Sequence, residues 1–252
     1  MGRLSGKVAI VTGAGRGVGR GIALAFAKEG ASLALAEIRE AEGRAVAAEI
    51  EALGARALFV ACDVAQRASA DACVAQVVAH FGRLDVLVNN AQRAPLELVP
   101  FLQHSDETLA LCMAGFLGTV YFMQACHPHL PKPGGRVINL GSAAGYEGLP
   151  GQAGYAAAKE AIRAISRSAA REWGREGVTV NVICPFANSP GWREFEQHDP
   201  AAARRIAAGR PIPRVGDCEA DIGRAALFFA SEDSGYVTGH TLAVDGGAAI
   251  LR

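Results

Sequence analysis

Seven short apolar runs alternate with helical stretches along this chain of 252 residues. Such alternation is typical of a parallel sheet that helices cover on both faces. The crossovers between parallel strands are right-handed, so the pattern predicts a doubly wound α/β fold of about seven strands, with residues 1–252 in a single domain. The predicted strands are residues 8–11, 33–36, 57–61, 86–88, 137–140, 178–183 and 242–244.

A glycine-rich turn separates the first predicted strand from an apolar helical pattern. Backbone N–H groups and the positive end of the helix converge at such a turn, which makes it a site for a pyrophosphate. The glycines stand at 13, 17 and 19 rather than in the common G-x-G-x-x-G spacing, so the turn alone is weak support for a nucleotide site. The candidate cofactor contacts here are Gly13, Arg16, Gly17, Val18 and Gly19.

A carboxylate ends the second predicted strand, eighteen residues after Gly19. In this position Glu37 can accept hydrogen bonds from the ribose hydroxyls of a dinucleotide. A 2′-phosphate would meet like charge there, at a cost of about 1 to 4 kcal/mol. Arg16 and Arg39 act in the opposite direction, because guanidinium groups suit phosphate. We expect NAD to be preferred over NADP.

Ser142, Tyr155 and Lys159 form the most specific chemical pattern in the chain. Residues four apart on a helix share a face, so the Lys159 ammonium is expected beside the Tyr155 phenol. A neighbouring cation favours phenolate and lowers a tyrosine pKa from its usual value near 10. The hydroxyl of Ser142 can hold the substrate oxygen that exchanges the proton.

Six ordered motifs resemble those of the short-chain dehydrogenase/reductase family over nearly the whole chain. They are residues 12–19, residues 62–64, residues 89–91, the Ser142, Tyr155 and Lys159 set, residues 181–185, and residues 236–239 with 244–247. The resemblance implies a Rossmann-like fold and hydride transfer between a nicotinamide and a carbinol or carbonyl carbon. It assigns Tyr155 as acid and base, and gives Lys159 a second bond to the nicotinamide ribose. It adds Asp63, Val64, Asn90, Ala91 and Pro185 to the cofactor contacts, together with Tyr155 and Lys159.

Three positions depart from the family pattern. Gly115 stands where the family usually has an asparagine that helps hold a water linked to the lysine, and we expect a second water to fill the space. Gln92 replaces a glycine near the expected nicotinamide, where a long amide can contact substrate or partly block the site. Phe186 replaces a glycine after Pro185. Together these departures predict an atypical substrate pocket.

We expect the substrate to be a small ketone or secondary alcohol. It should be mostly apolar or aromatic, because the residues expected around it are. The resemblance implies a mobile substrate-binding segment at about residues 186–214. The candidate pocket residues are Gln92, Ser142, Tyr146, Phe186 and Trp192. Two alternatives remain: an NADPH-dependent 3-oxoacyl thioester reductase, and a nucleotide-binding scaffold or sensor with impaired turnover.

Charge and cysteine usage limit the partners and the compartment. The chain has 25 basic and 25 acidic residues, so nucleic acid and anionic membrane surfaces are not expected partners. We expect no apolar run to reach the roughly 18 residues of a membrane span, and residues 1–6 lack the core of an export signal. Six scattered cysteines without a C-x-x-C pair predict reduced thiols, a cytoplasmic location and no metal site. The family resemblance implies a homotetramer, with small residues Ala156, Ala157, Ala161 and Ala164 facing a partner.

Overall fold

The computed structural model describes residues 2–93 and 98–249. Within these residues, seven parallel strands form one sheet in the order β3-β2-β1-β4-β5-β6-β7. The strands are β1 (Val8–Thr12), β2 (Ser32–Glu37), β3 (Ala57–Ala61), β4 (Val86–Asn89), β5 (Arg136–Leu140), β6 (Thr179–Pro185) and β7 (Thr241–Val244).

Helices occupy the stretches between the strands, as crossovers between parallel strands require. Helices α1 to α4 are Gly17–Lys28, Glu40–Ala52, Arg67–Phe81 and Asp106–Cys126. Helices α5 to α9 are Ala143–Glu147, Ala153–Trp173, Pro190–His198, Pro200–Ala208 and Arg224–Ala230, and a π-helical segment, Cys218–Gly223, leads into α9.

The doubly wound α/β prediction is confirmed, and the predicted strands lie at the observed positions. The largest difference is at β6, which extends to Pro185 because its last residues pair with β7 up to Val244. Two apolar clusters pack on the two faces of the sheet, around Phe26 on one face and Phe122 on the other. The central strands are therefore buried along their whole length, which explains why they read as continuous apolar runs.

Strand order reverses between β1 and β4, which lie side by side although β2 and β3 separate them in the chain. Ligands of open parallel sheets bind outside the carboxyl ends of the strands at such a switch point. The glycine loop follows β1 and residues 90–93 follow β4, so both lie at this edge. The fold thus brings the sequence-predicted cofactor residues to one edge.

The expectation about apolar runs is wrong for α4. The described residues contain one helix, Asp106–His129, that is long and apolar enough to cross a membrane by length and composition alone. In the fold this helix packs between α3 and α6 in the layer over the sheet. Phe122, Met123 and Cys126 on its inner face belong to the apolar core, which accounts for much of its composition.

The predicted substrate segment folds into two short helices that begin with proline. Pro190 starts α7 after Ser189, whose hydroxyl accepts a hydrogen bond from Trp192 N, and Pro200 starts α8 after Asp199, whose carboxylate accepts one from Ala202 N. Proline suits the first helical position because its missing N–H has no partner there anyway. Both helices are largely exposed, and they lie at the same edge as the glycine loop.

Candidate active site

The glycine loop is held in a conformation that side chains would prevent. Gly13 and Gly17 have φ values of +63° and +56°, in the left-handed region that favours glycine. A Cβ on Gly19 would lie 2.2 Å from the carbonyl oxygen of Gly13, so α1 can start this close to β1 only with glycine there. Helix α1 has no side-chain cap, and its first-turn N–H groups are available to an anion.

The end of β4 is tied to this loop by hydrogen bonds. The Thr12 hydroxyl accepts hydrogen bonds from the N–H groups of Asn90 and Ala91, each at 3.0 Å. The Asn90 amide donates to the carbonyl oxygens of Thr12 and Gly13 at 2.9 and 3.0 Å. Asn90 therefore shapes the loop through its backbone, and Thr12 is a supporting residue whose role the sequence motif did not reveal.

Glu37 lies at the end of β2 with only 6% of its surface exposed. One carboxylate oxygen accepts a hydrogen bond from Gly15 N and the other accepts one from Arg39 N, both at 3.0 Å. A carboxylate oxygen accepts more than one hydrogen bond, so these contacts leave acceptor capacity for a ribose hydroxyl. Glu37 thus orders the glycine loop as well as placing negative charge beside it.

Asp63 and Val64 lie next to the same edge, after β3. The Asp63 carboxylate accepts a hydrogen bond from Ala65 N at 3.1 Å and lies 3.5 Å from the Arg93 guanidinium. Val64 packs against α4, since a Cβ on Gly118 would lie 2.8 Å from its carbonyl oxygen. Both residues thus lie at the edge of the sheet where the adenine side of the cofactor was predicted. Both also make contacts within the protein itself.

Ser142 and Tyr155 come together beyond the end of β5. Ser142 caps α5, and its hydroxyl accepts a hydrogen bond from Ala144 N at 3.2 Å. Burial raises the pKa of Tyr155 above its ordinary value, while the nearby hydroxyl of Ser142 acts in the opposite direction by favouring phenolate. The two side chains therefore share one polar position at the carboxyl edge of the sheet.

Lys159 lies under this pair on α6. Its Nζ donates a hydrogen bond to the Leu140 carbonyl oxygen at 2.8 Å and lies 5.6 Å from the centre of the Tyr155 ring. Only 3% of Lys159 is exposed, and burial lowers its pKa to about 8. The expectation that Lys159 lowers the pKa of Tyr155 is not met as a net effect, because burial outweighs the other influences on the phenol.

The two pocket departures, Gln92 and Gly115, touch each other. A Cβ built on Gly115 would lie 2.3 Å from Gln92 Oε1. The expectation that a second water fills the space beside Gly115 is therefore wrong, because the Gln92 carboxamide already fills it. Nothing in either position alone signals this contact, since the residues are 23 apart and belong to different elements.

Phe186 and Trp192 form an aromatic column with Phe195. The ring centres of Phe186 and Trp192 are 4.7 Å apart in an edge-to-face arrangement, and those of Trp192 and Phe195 are 5.5 Å apart. The Arg210 guanidinium stacks on the other side, 3.3 Å from the centre of the Phe186 ring, and donates a hydrogen bond to the Asp245 carbonyl oxygen. Sequence reasoning missed Arg210, although the arginine-rich composition of its segment was visible.

Tyr146 and Pro185 complete the sequence-predicted set. Tyr146 follows Ser142 on α5 and packs under Arg163 of α6, with 5.2 Å between guanidinium carbon and ring centre. Its hydroxyl is buried without a hydrogen-bond partner, and burial raises its pKa to about 12. Pro185 is the last residue of β6, opposite Val244. Tyr146 therefore faces α6 at least as closely as it faces the predicted pocket.

Cavities among the described residues lie at both ends of the strands. One of about 130 Å³ adjoins the glycine loop and is lined by Gly17, Arg20, Asn188, Arg193 and Cys218, among others. A larger one, of about 390 Å³, lies at the amino ends of β2 and β3 among Ser32, Arg56 and their neighbours. The larger cavity is at the opposite edge of the sheet from Tyr155, so its size does not mark the reaction site.

A family model described as enoyl-(acyl carrier protein) reductase matches residues 13–249. The chain belongs to the short-chain dehydrogenase/reductase family. The glycine loop and the serine, tyrosine and lysine set thus lie in the part of the chain that the match covers. Members of this family are oxidoreductases, and that class applies to this protein as well.

Two curated members of the family span almost the whole chain. A 12alpha-hydroxysteroid dehydrogenase from a Clostridium species is 41% identical over 254 aligned residues, covering 98% of each chain. An L-fucose dehydrogenase from Oryctolagus cuniculus is 38% identical and covers 98% of this chain and 87% of its own length. Their names describe dehydrogenases of a hydroxysteroid and of L-fucose.

A solved family member has the same architecture. The crystal structure of NAD+-bound xylitol dehydrogenase superposes with a TM-score of 0.90 at 29% identity, covering 97% of this chain and 99% of the other. The similarity indicates a nicotinamide cofactor for the family fold.

Proposed function

We propose that this protein is an NAD(H)-dependent oxidoreductase that interconverts a secondary alcohol and a ketone. The observation that carries the proposal is the arrangement of the half-buried Tyr155 with the Ser142 hydroxyl beside it and the buried Lys159 ammonium 5.6 Å from its ring centre. This set lies at the edge where the glycine loop also ends. The phenol of Tyr155 as the acid, the Ser142 hydroxyl that binds the substrate oxygen, and the glycine loop that binds the cofactor therefore face one space.

The residues at this edge fit a dinucleotide. The close approach of Gly13 and Gly19 leaves backbone rather than side chains in front of α1, which suits a pyrophosphate. Glu37 places a carboxylate at the end of β2, where ribose hydroxyls are bound in folds of this type. A bound nicotinamide would supply the hydride donor or acceptor.

Tyr155 acts as the acid when a ketone is reduced. Its pKa lies above the ordinary value, so the phenol carries its proton at neutral pH and can give it to the substrate oxygen. Ser142 donates a hydrogen bond to the same oxygen and stabilises the charge that develops there. In the oxidising direction Tyr155 must be phenolate, and the positive charge of Lys159 is the nearby group that favours it.

The acidic residues around the adenosine side support NAD as the cofactor. Glu37 is buried and holds the glycine loop through Gly15 N, so its charge cannot turn away from a 2′-phosphate at low cost. Glu42 on α2 lies 3.7 Å from the Arg16 guanidinium and 3.9 Å from that of Arg39. Both arginines that could attract a phosphate are thus paired with a carboxylate.

An apolar or aromatic substrate suits the aromatic column of Phe186, Trp192 and Phe195. These side chains line the segment that follows β6, and Arg210 closes the outer side of Phe186. The similarity to a 12alpha-hydroxysteroid dehydrogenase supports a bulky, largely apolar secondary alcohol. The similarity to an L-fucose dehydrogenase supports a different substrate, a small polar sugar.

Two other functions can be distinguished from the proposed one, the first by its cofactor preference and the second by its lack of turnover. An NADPH-dependent 3-oxoacyl thioester reductase requires the 2′-phosphate to be accepted, against the charge of Glu37 and Glu42. A scaffold or sensor would bind nucleotide without turnover, which the complete Ser142, Tyr155 and Lys159 set argues against.

The experiment measures binding of NADH and NADPH to the purified protein. Turnover is then measured with the preferred cofactor, in its reduced form for ketosteroids, aryl ketones and 3-oxoacyl thioesters and in its oxidised form for hydroxysteroids and sugars. Tyr155→Phe removes the acid, and Tyr236→Phe is the matched control because Tyr236 is fully exposed. Turnover with NADH that is lost in Tyr155→Phe and kept in Tyr236→Phe supports the proposal. NADPH preference, or binding without turnover of any substrate, contradicts it.

We also propose a homotetramer. Three leucines of α4 are partly exposed, with 40%, 37% and 41% of the surface of Leu109, Leu111 and Leu117 accessible. On α6, Ala157 and Ala164 are exposed, Ala161 is half-buried and Ala156 is buried. Burial of these apolar faces against further copies of the chain would remove them from water.

A further inference from the structure

Arg210 lies shortly after α8, with its guanidinium over the Phe186 ring. The guanidinium carbon is 3.3 Å from the ring centre, and Nη1 donates a hydrogen bond to the Asp245 carbonyl oxygen at 3.0 Å. A guanidinium has five N–H donors, and within the described residues this oxygen is the only acceptor bonded to Arg210. Its Nε is buried there without a partner. The ring attracts the positive charge, but most of the donors are left unpaired.

The charge of Arg210 is also unpaired in the part of the chain that the structure describes. Arg214, in the same segment, forms a salt bridge with Asp221, whereas Arg210 forms none. The Asp245 carboxylate is engaged elsewhere, since it accepts hydrogen bonds from two backbone N–H groups of its own turn at 2.9 Å each. Burial lowers the pKa of Arg210 below its ordinary value, although the charges of Asp245 and Glu147 act in the opposite direction. A partly buried cation of this kind gains from an anionic partner.

The cation lies close to the proposed reaction site. Phe186, whose ring lies under the guanidinium, is the residue after β6, and Cys184 is close to the end of the same strand. A Cβ on Gly141, the neighbour of Ser142, would lie 2.8 Å from the Cys184 sulfur. A strand advances about 3.3 Å per residue, so Phe186 is roughly 7 Å along the chain from the wall beside Ser142. One substrate molecule can therefore contact both places.

A carboxylate is the anion that fits these surroundings best. The N–H groups of a planar guanidinium match the two oxygens of a carboxylate, and such charge-assisted bonds are about twice as strong as neutral ones. A phosphate group also suits a guanidinium, but its larger negative charge would be repelled by Glu147 and Asp245. The rings of Phe186, Trp192 and Phe195 offer an apolar surface beside the cation. This wall is therefore amphipathic, with rings for an apolar body and a cation for a single negative charge.

We propose that Arg210 binds a carboxylate of the substrate. The substrate class is then an amphipathic keto acid, or the corresponding hydroxy acid, with its apolar body on the aromatic column and its carboxylate on the guanidinium. This inference rests on the proposed function and narrows its substrate. Arg210 is a specificity-determining residue in this role, because it distinguishes acids from neutral compounds of the same shape.

Matched acids and amides test the proposal, because they differ in charge and hardly in shape. The substrates are para-acetylbenzoate and longer homologues with methylene groups between ring and carboxylate, each compared with its primary carboxamide. Turnover is measured with NADH as the ratio of kcat/KM for the acid over the amide. Calorimetry with the corresponding para-isopropyl acids and amides, which carry no ketone, measures binding with and without NADH and involves no chemical step.

The variants separate the charge of residue 210 from general effects on the protein. Arg210→Met and Arg210→Gln remove the charge, Arg210→Lys keeps it, and Arg224→Met is the matched control because Arg224 is exposed on α9. At the best chain length, wild type should bind and reduce the acid at least about tenfold better than the amide, as for a hydrogen bond to a charged group. Both neutral variants should bring this ratio to within about twofold of unity, whereas Arg210→Lys should keep part of it and Arg224→Met all of it.

Two results would overturn the proposal. They are equal binding of acid and amide by wild type at every chain length, and a preference for the acid that survives in both neutral variants. A wild type that binds the acid over the amide but reduces no ketone would refute the proposed function and still support the carboxylate site. A wild type that binds and reduces acid and amide equally would support the proposed function and overturn the role of Arg210.

Discussion

The Glu42 carboxylate lies 3.7 Å from the Arg16 guanidinium, across the mouth of the glycine loop. The same oxygen lies 3.9 Å from the Arg39 guanidinium. One acidic side chain on the first turn of α2 therefore engages both cations that stand near the expected adenosine ribose. Under the proposed function we expect cofactor choice to depend on Glu42 as well as on Glu37.

Glu42→Gln should raise affinity for NADPH by about three- to tenfold, because Arg16 and Arg39 become available to a 2′-phosphate and each exposed ion pair is worth less than about 1 kcal/mol. NADH affinity should change little. The gain should shrink as salt is added, since these side chains are partly exposed. Fluorescence titration with both cofactors measures this, and Glu51→Gln on the exposed side of α2 is the control. An unchanged NADPH affinity at low salt would contradict the role of Glu42.

Lys159→Met should stabilise the fold near neutral pH while removing activity. The folded-state pKa of Lys159 is about 8, below its ordinary value of 10.5, so below pH 8 the folded protein must hold a buried ammonium at a cost. Between about pH 8 and 10.5 the unfolded state binds more protons, so this cost disappears as pH rises. The gain in unfolding free energy at pH 7 should be at most about 3 kcal/mol.

Thermal melts from pH 6 to 10 test the lysine prediction. The difference between Lys159→Met and wild type should be largest at low pH and fall toward zero by about pH 10. Lys7→Met serves as the control, because Lys7 is partly exposed and its difference from wild type should not follow this course. A destabilised Lys159→Met at pH 7 would show that the ammonium is compensated in the fold.

Arg210→Lys should weaken binding of bulky apolar substrates. Lysine keeps the charge but loses the planar stack on Phe186, where the guanidinium carbon is 3.3 Å from the ring centre. We expect KM to rise by about five- to tenfold with kcat within about threefold of wild type, as for a loss of uniform binding. Arg214→Lys in the same segment is the control, since Arg214 pairs with Asp221. Equal effects at both positions would place the aromatic column outside the substrate pocket.

Leu117→Lys should dissociate the proposed oligomer at α4. A charge at the centre of a buried apolar contact costs several kcal/mol unless it is paired, so the mass measured by light scattering should fall by half or more. Leu53→Lys is the control, because Leu53, directly after α2, has a similar exposed fraction of 47%. If both variants and wild type have the same mass, the outer face of α4 is not an interface.

The fold and the position of the site could be predicted from sequence because both depend on local patterns. The central strands β1, β4 and β5 are buried runs, and glycines 13, 17 and 19 carry the backbone geometry of the loop. The Tyr155–Lys159 spacing likewise follows from helical periodicity alone. Such features need no knowledge of which distant residues meet.

Features that depend on distant contacts were missed or mistaken. The water expected beside Gly115 is replaced by Gln92. The pKa of Tyr155 rises because burial, which depends on the whole fold, outweighs the hydrogen bond of Ser142. The apolar run in α4 was underestimated because core packing against α3 and α6 and an exposed apolar face combine on one helix. Arg210 and Glu42 are close to the site only in three dimensions.

The most direct test of the account is NADH-dependent reduction of a panel of ketones by wild type and Tyr155→Phe, with Tyr236→Phe measured alongside. The account predicts turnover in wild type and in Tyr236→Phe, and a loss of at least about a hundredfold in Tyr155→Phe, the lower end of the range for general acid catalysis, with NADH affinity retained. Turnover that survives in Tyr155→Phe would contradict the assignment of Tyr155 as the acid, and with it the central claim about this site.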